Sequence, residues 1–229
     1  MAEESLLGRA ERIADAYGLV LALILATFVV VATLPPQGWG GRVVAAAVAS
    51  LTAVVALQSS GVREERVRLA VLAGIVCTGA AALARLLEWR GLLIVSFLGT
   101  AVLLTIAAVT ILRRVVGATR VEFRTILGAI SVYTLLGLLF DYLFLTIDRI
   151  ESGPFFASMP HADSSDFIFF SYTTLTTTGY GNLVPAGQIG QIFAVFEMLT
   201  GQFFLLTLVA GLVSLWRPLK SRGADSAPD

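Results

Sequence analysis

At 229 residues the chain holds one or two domains' worth of polymer, yet 57% of it is hydrophobic, 14% is charged and its mean hydropathy is +0.85. So few polar residues cannot cover an apolar core of that size in water, which excludes a soluble globular fold. Sixteen basic residues, sixteen acidic residues and one histidine leave no net charge, which excludes the basic surface that nucleic acid requires.

Charges punctuate the sequence, so the stretches between them read as membrane spans. Residues 16–41, 43–62, 69–84, 91–112, 125–140 and 198–216 contain no Asp, Glu, Lys or Arg, and about 20 residues cross the hydrocarbon. Six crossings are expected, near Ala16–Leu34, Val43–Ser60, Leu69–Leu87, Leu92–Leu112, Thr125–Ile147 and Gln188–Trp216. The first is long, ends in Leu34-Pro35-Pro36 and lacks a small-x-small cleavage site, so it is read as an uncleaved helix. Ala45, Ala49 and Ala53 in the second span and Ala80 and Ala84 in the third permit close helix packing. Cys77, the single cysteine, lies in an apolar run and reads as a small core hydrophobe.

The fourth span lacks the arginines at every third position that a voltage sensor needs; Arg113 and Arg114 stand only at its end. Residues 113–124 then interleave four arginines with Val115, Val116, Val121 and Phe123, an amphipathic linker suited to the inner leaflet. Two readings of Arg113, Arg114, Arg120 and Arg124 stay open, solvated positive-inside charges and a binding site for anionic lipid, the first being favoured. Twelve of the sixteen basic residues fall on one side if the N-terminus is cytoplasmic, so both termini are assigned there, in the plasma membrane. The resulting division is a cytoplasmic segment (1–15), a peripheral four-helix membrane domain (16–112), the linker (113–124), a 125–216 domain and a short tail (217–229).

A seventh charge-free stretch, 167–196, is broken by Gly179, Gly181, Pro185 and Gly187, so it cannot cross as one helix. About a dozen apolar residues from Ser165 to Thr176 read as a re-entrant helix. Backbone at membrane depth follows, which is tolerated only where it is buried in protein or lines water. Gly179 and Gly181 can take positive φ at little cost, whereas Thr178 and Tyr180 cannot. Alternating hand along such a ribbon turns successive carbonyls to one side, a row of oxygen ligands. Outside, Asp148, Glu151, Asp163 and Asp166 against Arg149 form an acidic vestibule that would concentrate cations.

Thr174-Leu-Thr-Thr-Thr-Gly-Tyr-Gly-Asn182 resembles the selectivity-filter signature of the tetrameric potassium channels, with Thr177–Gly181 on its five-residue core. The resemblance covers roughly Asp166 to Trp216. It implies that the carbonyls of Thr177, Thr178, Gly179 and Tyr180, with the Thr177 hydroxyl, coordinate dehydrated K+ in file, and that Gly181 closes the ribbon. It also implies four copies around one axis, since one ribbon cannot surround an ion, and a re-entrant helix aiming its negative end at the cavity below. The fold expected is thus an all-α membrane protein of six transmembrane helices, a pore helix and an extended filter, assembled as a homotetramer.

Three positions depart from the family's usual pattern: Asn182 in place of Asp, Phe169 and Phe170 in place of a tryptophan pair, and Thr173 in place of Glu. The hydrogen-bonded strut behind the filter cannot form from these in the same way. Gly201 lies where the family carries a hinge glycine, and bending and packing are equally open as the reason for it; in that register Gln202, Leu205, Val209 and Val213 face the axis, with Val209 or Val213 as an apolar gate. Glu197, a carboxylate in an otherwise charge-free helix, is expected to brace that helix against Ser171, Tyr172 or Thr173.

The function expected is passive, potassium-selective conduction without intrinsic voltage gating, enzymatic chemistry or any cofactor beyond bound K+. A less selective cation channel and a non-conducting membrane subunit are the alternatives. A coupled transporter would need midplane carboxylates and an internal repeat.

Overall fold

The computed structural model describes residues 2–33, 41–117 and 123–214, which form seven helices: α1 (Ala2–Thr33), α2 (Gly41–Ser59), α3 (Glu64–Leu86), α4 (Arg90–Val116), α5 (Phe123–Ile150), α6 (Ser164–Leu175) and α7 (Gln188–Ser214). Several of them outrun the apolar stretches that reveal them. α1 takes in residues 2–15, which the sequence reading set apart as a separate segment, α3 opens at Glu64 rather than Leu69, and α4 runs on through Arg113 and Arg114. Glu, Arg and Ala are good helix formers, so a charge marks where a helix leaves the hydrocarbon and not where its backbone stops being helical. The expected linker is correspondingly short: Arg113–Val116 end α4, Phe123 and Arg124 begin α5, and residues 118–122, with Arg120, lie outside the described residues.

Among the described residues four helices are long and apolar enough to cross a membrane, over Glu64–Ala84, Arg90–Val116, Thr125–Ile150 and Gln188–Leu208. Tyr17–Thr33 and Val43–Ser59 are shorter apolar helices, against a range of about 17–25 residues for a span. The chain is a multi-pass membrane protein.

In lipid, apolar surface alone does not draw helices together, and small side chains that let backbones approach do so instead. α2 shows this. Its Ala46, Ala49, Ala53 and Ala56 are fully buried, and it packs against α1, α3 and α4. A Cβ at Gly74 of α3 would stand 3.1 Å from Ser50 Cβ of α2, and one at Gly99 of α4 would meet Cys77 Sγ. Cys77 is buried, as its sequence context suggests. Arg114 clasps the α2–α3 turn: its guanidinium donates to the Ser59 carbonyl at 3.4 Å, at the negative end of α2, and fills the space beside Gly61.

α1, α4, α6 and α7 all pack against α5 of the same chain, and α1 also touches α6. The loop from 151 to 163 pairs with the segment that follows the ribbon. Ala157 N–H donates to the Val184 carbonyl at 2.9 Å and Ala186 N–H to the Phe155 carbonyl at 2.8 Å.

Candidate functional site

α6 is held at its start, its middle and its end. Asp163 caps it, its N–H donating to Asp166 Oδ2 at 2.7 Å, so the helix begins at Ser164, one residue ahead of the start read from sequence. Phe167 and Phe170 sink into an aromatic cluster with Phe144, Phe155 and Phe156; Phe144–Phe170 centroids are 5.0 Å apart and Phe156–Phe167 5.1 Å. Ser171 Oγ lies 2.7 Å from the Gly137 carbonyl, and Tyr172 donates to the Thr134 carbonyl at 2.5 Å, so two successive residues tie α6 to α5. Gly137 makes this possible, because a Cβ there would stand 2.5 Å from the Tyr172 ring. Phe28 of α1 meets the same ring edge-on at 4.9 Å. At the C-terminal end, Tyr133 donates to the Leu175 carbonyl at 3.2 Å.

Beyond Leu175 the chain turns back along α6 by its N–H groups. Thr177 N–H reaches the Thr174 carbonyl at 2.9 Å, and those of Thr178 and Gly179 share the Thr173 carbonyl at 2.8 and 3.1 Å. The backbone alternates in hand: φ is +56° at Thr177, +51° at Gly179 and +79° at Gly181, with Thr178 and Tyr180 on the ordinary side. With their N–H groups drawn toward α6, the carbonyls of Thr177, Thr178, Gly179 and Tyr180 meet no hydrogen-bond donor among the described residues. Unpaired carbonyls in hydrocarbon each cost on the order of several kcal/mol unless a cation or water meets them.

Gly179 and Gly181 adopt the positive φ expected of them. Thr177 does so as well, which the sequence reading did not foresee; a period of two run back from Gly179 was the available signal. A β-branched residue there costs about 1–2 kcal/mol. The N–H bond to Thr174 and the Thr177 hydroxyl, which donates to the Thr176 carbonyl at 2.7 Å, hold it. Thr176 and Thr178 hydroxyls are 2.8 Å apart.

The expected support residues take different parts. Phe169 stacks on Tyr180, centroids 5.7 Å apart and planes 12° from parallel, so packing stands where a hydrogen-bonded strut was considered. Phe170 belongs to the buried aromatic cluster, and the Thr173 hydroxyl donates to the Phe170 carbonyl at 3.0 Å. The Asn182 carbonyl accepts from Ser158 Oγ at 2.8 Å, and Asn182 is exposed. Glu197 is fully buried with Oε1 2.6 Å from Ser171 Oγ, so of the three hydroxyls named it is Ser171 that stands at the brace. Glu197 Oε2 has no hydrogen-bond partner. Asp141, buried in α5 one turn beyond Gly137 with an unpartnered Oδ1, was not singled out from sequence. The signal was present, since a carboxylate inside a membrane span is a functional candidate by default.

Gly201 packs. A Cβ there would collide with the Leu175 carbonyl and stand 3.0 Å from its Cδ1, so α7 crosses the end of α6 backbone against backbone. Gln202 and Leu205 are exposed in the single chain, while the side chains of Val209 and Val213 lie outside the described residues. The acidic residues of the outer loops are partly employed: Asp148 pairs with Arg149 at 3.1 Å, Asp163 and Asp166 cap α6, and the Glu151 carboxylate lies against Gly187 at the positive end of α7.

Residues 130–217 match the family model described as "Ion channel", a span that runs from α5 through α7. The chain is 36% identical over 81 residues to a voltage-gated potassium channel of Aeropyrum pernix, covering 33% of this chain and 27% of that one. It is 49% identical over 39 residues to potassium channel subfamily K member 16 of Homo sapiens (17% of this chain, 13% of the relative), and 36% identical over 73 residues to TWiK family of potassium channels protein 7 of Caenorhabditis elegans (32% and 13%). The matches thus span about a quarter or less of each relative's length. No solved structure matches the chain.

Proposed function

We propose that this chain is one subunit of a homotetrameric potassium channel, in which four copies of Thr177–Gly181 surround a file of dehydrated K+ ions. The observation that carries the reading is the ribbon of alternating hand whose four successive carbonyls have no donor. Four ribbons around an axis supply the ring of carbonyl oxygens that replaces an ion's water. The similarity of the matched segments to potassium channels supports the ion.

Assembly gives the exposed apolar surface of α7 its partners. Phe196, Phe203 and Leu206 are each more than half exposed in one chain, and a helix apolar all round belongs among other helices or lipid. α1 and α2, at the short end of the spanning range, complete six crossings with both termini cytoplasmic in the plasma membrane. Gln202, Leu205, Val209 and Val213 line the cavity below the filter, and a ring of Val209 or Val213 closes it. The uncharged middle of α4 supports conduction that is not intrinsically voltage-gated. Glu197, through Ser171, positions the pore helix and does not touch the ion.

Purified protein in liposomes should carry K+ down its gradient, with reversal potentials under mixed K+ and Na+ set by K+. Equal permeation of both ions would mark a less selective cation pore, and absence of flux from a protein that sediments as a tetramer would mark a non-conducting subunit. A monomeric particle would overturn the proposal.

A further inference from the structure

Outside the pore segment, a groove of about 770 Å³ runs along the outer face of α3 and α4. Its walls are apolar, with Leu69 and Cys77 from α3 and Leu98, Gly99 and Val102 from α4. Leu69, Leu98 and Val102 are each about half exposed or more, so the groove opens outward and not into the bundle. α3 starts where α4 ends, which brings Arg66 and Arg113 together at one end as its only charged walls among the described residues. From Arg66 to Cys77 the helix rises about 16 Å, at ~1.5 Å per residue. That is the depth of one leaflet, half of a hydrocarbon core of ~30 Å.

Both arginines are available. Glu64 sits 3.8 Å from Arg68, Arg114 is turned to the Ser59 carbonyl, and among the described residues neither Arg66 nor Arg113 makes an ion pair. Arg63, Arg66, Arg68, Arg113 and Arg114 outnumber Glu64 and Glu65 at this end of the bundle. A groove one leaflet deep, apolar along its length and cationic at its rim, complements one molecular class: an amphiphile with an acyl chain and a negative headgroup.

We propose that this groove binds an anionic phospholipid, with an acyl chain between α3 and α4 and the phosphate between Arg66 and Arg113. The expected linker contact thereby moves: of the four arginines first considered, Arg113 takes part, and its partner is Arg66 on the neighbouring helix. The site is independent of ion conduction.

The test is lipid retention by the purified full-length protein, titrated in detergent with phosphatidylglycerol or phosphatidylcholine and read by native mass spectrometry. The wild type should retain phosphatidylglycerol in preference. The double variant Arg66→Gln/Arg113→Gln should lose that preference by about thirty-fold, each arginine near an anionic surface contributing roughly a factor of five. Arg63→Gln/Arg68→Gln, with the same change in charge outside the groove, should retain it. Val102→Trp, which fills the groove, should reduce retention of both lipids while the oligomer elutes unchanged. Equal retention of the two lipids by the wild type, or equal loss in both arginine pairs, would overturn the site in favour of diffuse surface attraction. Efficient disulfide cross-linking between copies of a Leu69→Cys/Cys77→Ala variant would also overturn it, because a second copy would then cover the groove.

Discussion

The two halves of the molecule differ in how many of their hydroxyls bond across elements. In α1–α4 the hydroxyls of Thr27, Thr52, Thr100, Thr105 and Thr110 donate to carbonyls four residues back on their own helix, and Ser96, on the Cys77 carbonyl, is a crossing bond between helices. In α5–α7 Thr134, Thr146 and Thr200 likewise bond to their own helix, but a further set of hydroxyls reaches across: Tyr133 to Leu175, Tyr172 to Thr134, Ser158 to Asn182, and Ser171 between Gly137 and Glu197. A hydroxyl bonded to its own helix satisfies itself without fixing a neighbour. One bonded across elements fixes their relative position, and in a membrane such bonds carry about 0.6 kcal/mol on average. The first half is therefore a scaffold shaped by small residues, and the second a frame that locates one short ribbon.

The glycines should break this comparison most sharply. Gly201→Ala drives a methyl into the Leu175 carbonyl and should cost about 3 kcal/mol or more, as severe overpacking does; recovery of assembled protein after mild heating, by size exclusion, should collapse. Gly79→Ala on α3 meets open space and should be neutral or stabilise by up to ~1 kcal/mol. Similar losses at both sites would refute the division into scaffold and frame.

Hydroxyl deletions follow. Ser171→Ala leaves Glu197 buried without its partner and should lower stability by about 1–3 kcal/mol, read in the same heating assay and as reduced K+ flux. Thr105→Val, which removes a bond to its own helix, should stay within about 0.5 kcal/mol. Glu197→Gln belongs with Ser171→Ala, and a variant with unchanged assembly and conductance would remove Glu197 from any supporting role.

Voltage gives a smaller contrast. With no charge between Gly91 and Leu112, the scaffold has little to move through the field, where each elementary charge contributes about 2.3 kcal/mol per 100 mV. Recordings without blocking ions should give a shallow conductance–voltage relation, and a steep one would turn the scaffold into a sensor. The smallest effect is expected at the outer mouth. Asn182→Asp should slow any decay of current during sustained conduction, and an unchanged time course would dissociate residue 182 from filter stability.

What the sequence makes legible and what it hides divide along the same line. The apolar stretches locate all seven helices, because burial in hydrocarbon is written residue by residue, and Thr-Gly-Tyr-Gly singles out the ribbon. Hidden are relations between distant residues. Nothing near Gly137 in sequence announces the Tyr172 ring, and Gly201 as a packing glycine depends on a carbonyl 26 positions earlier, at Leu175. The pairing of 155–157 with 184–186 has no periodic signature. Thr177 and Asp141 are different: a period of two and an intramembrane carboxylate are both visible in the sequence.

The contact between Gly201 and Leu175 also has a mechanical meaning. The Leu175 carbonyl is the last of α6, two residues below Thr177, and both Tyr133 and the α7 backbone press on it. A tilt of the lower part of α7 has its fulcrum at the foot of the ribbon, with no compliant side chain to absorb the load. Leverage applied far below is therefore delivered to Thr177, the one β-branched residue of the ribbon already wound against its preferred hand.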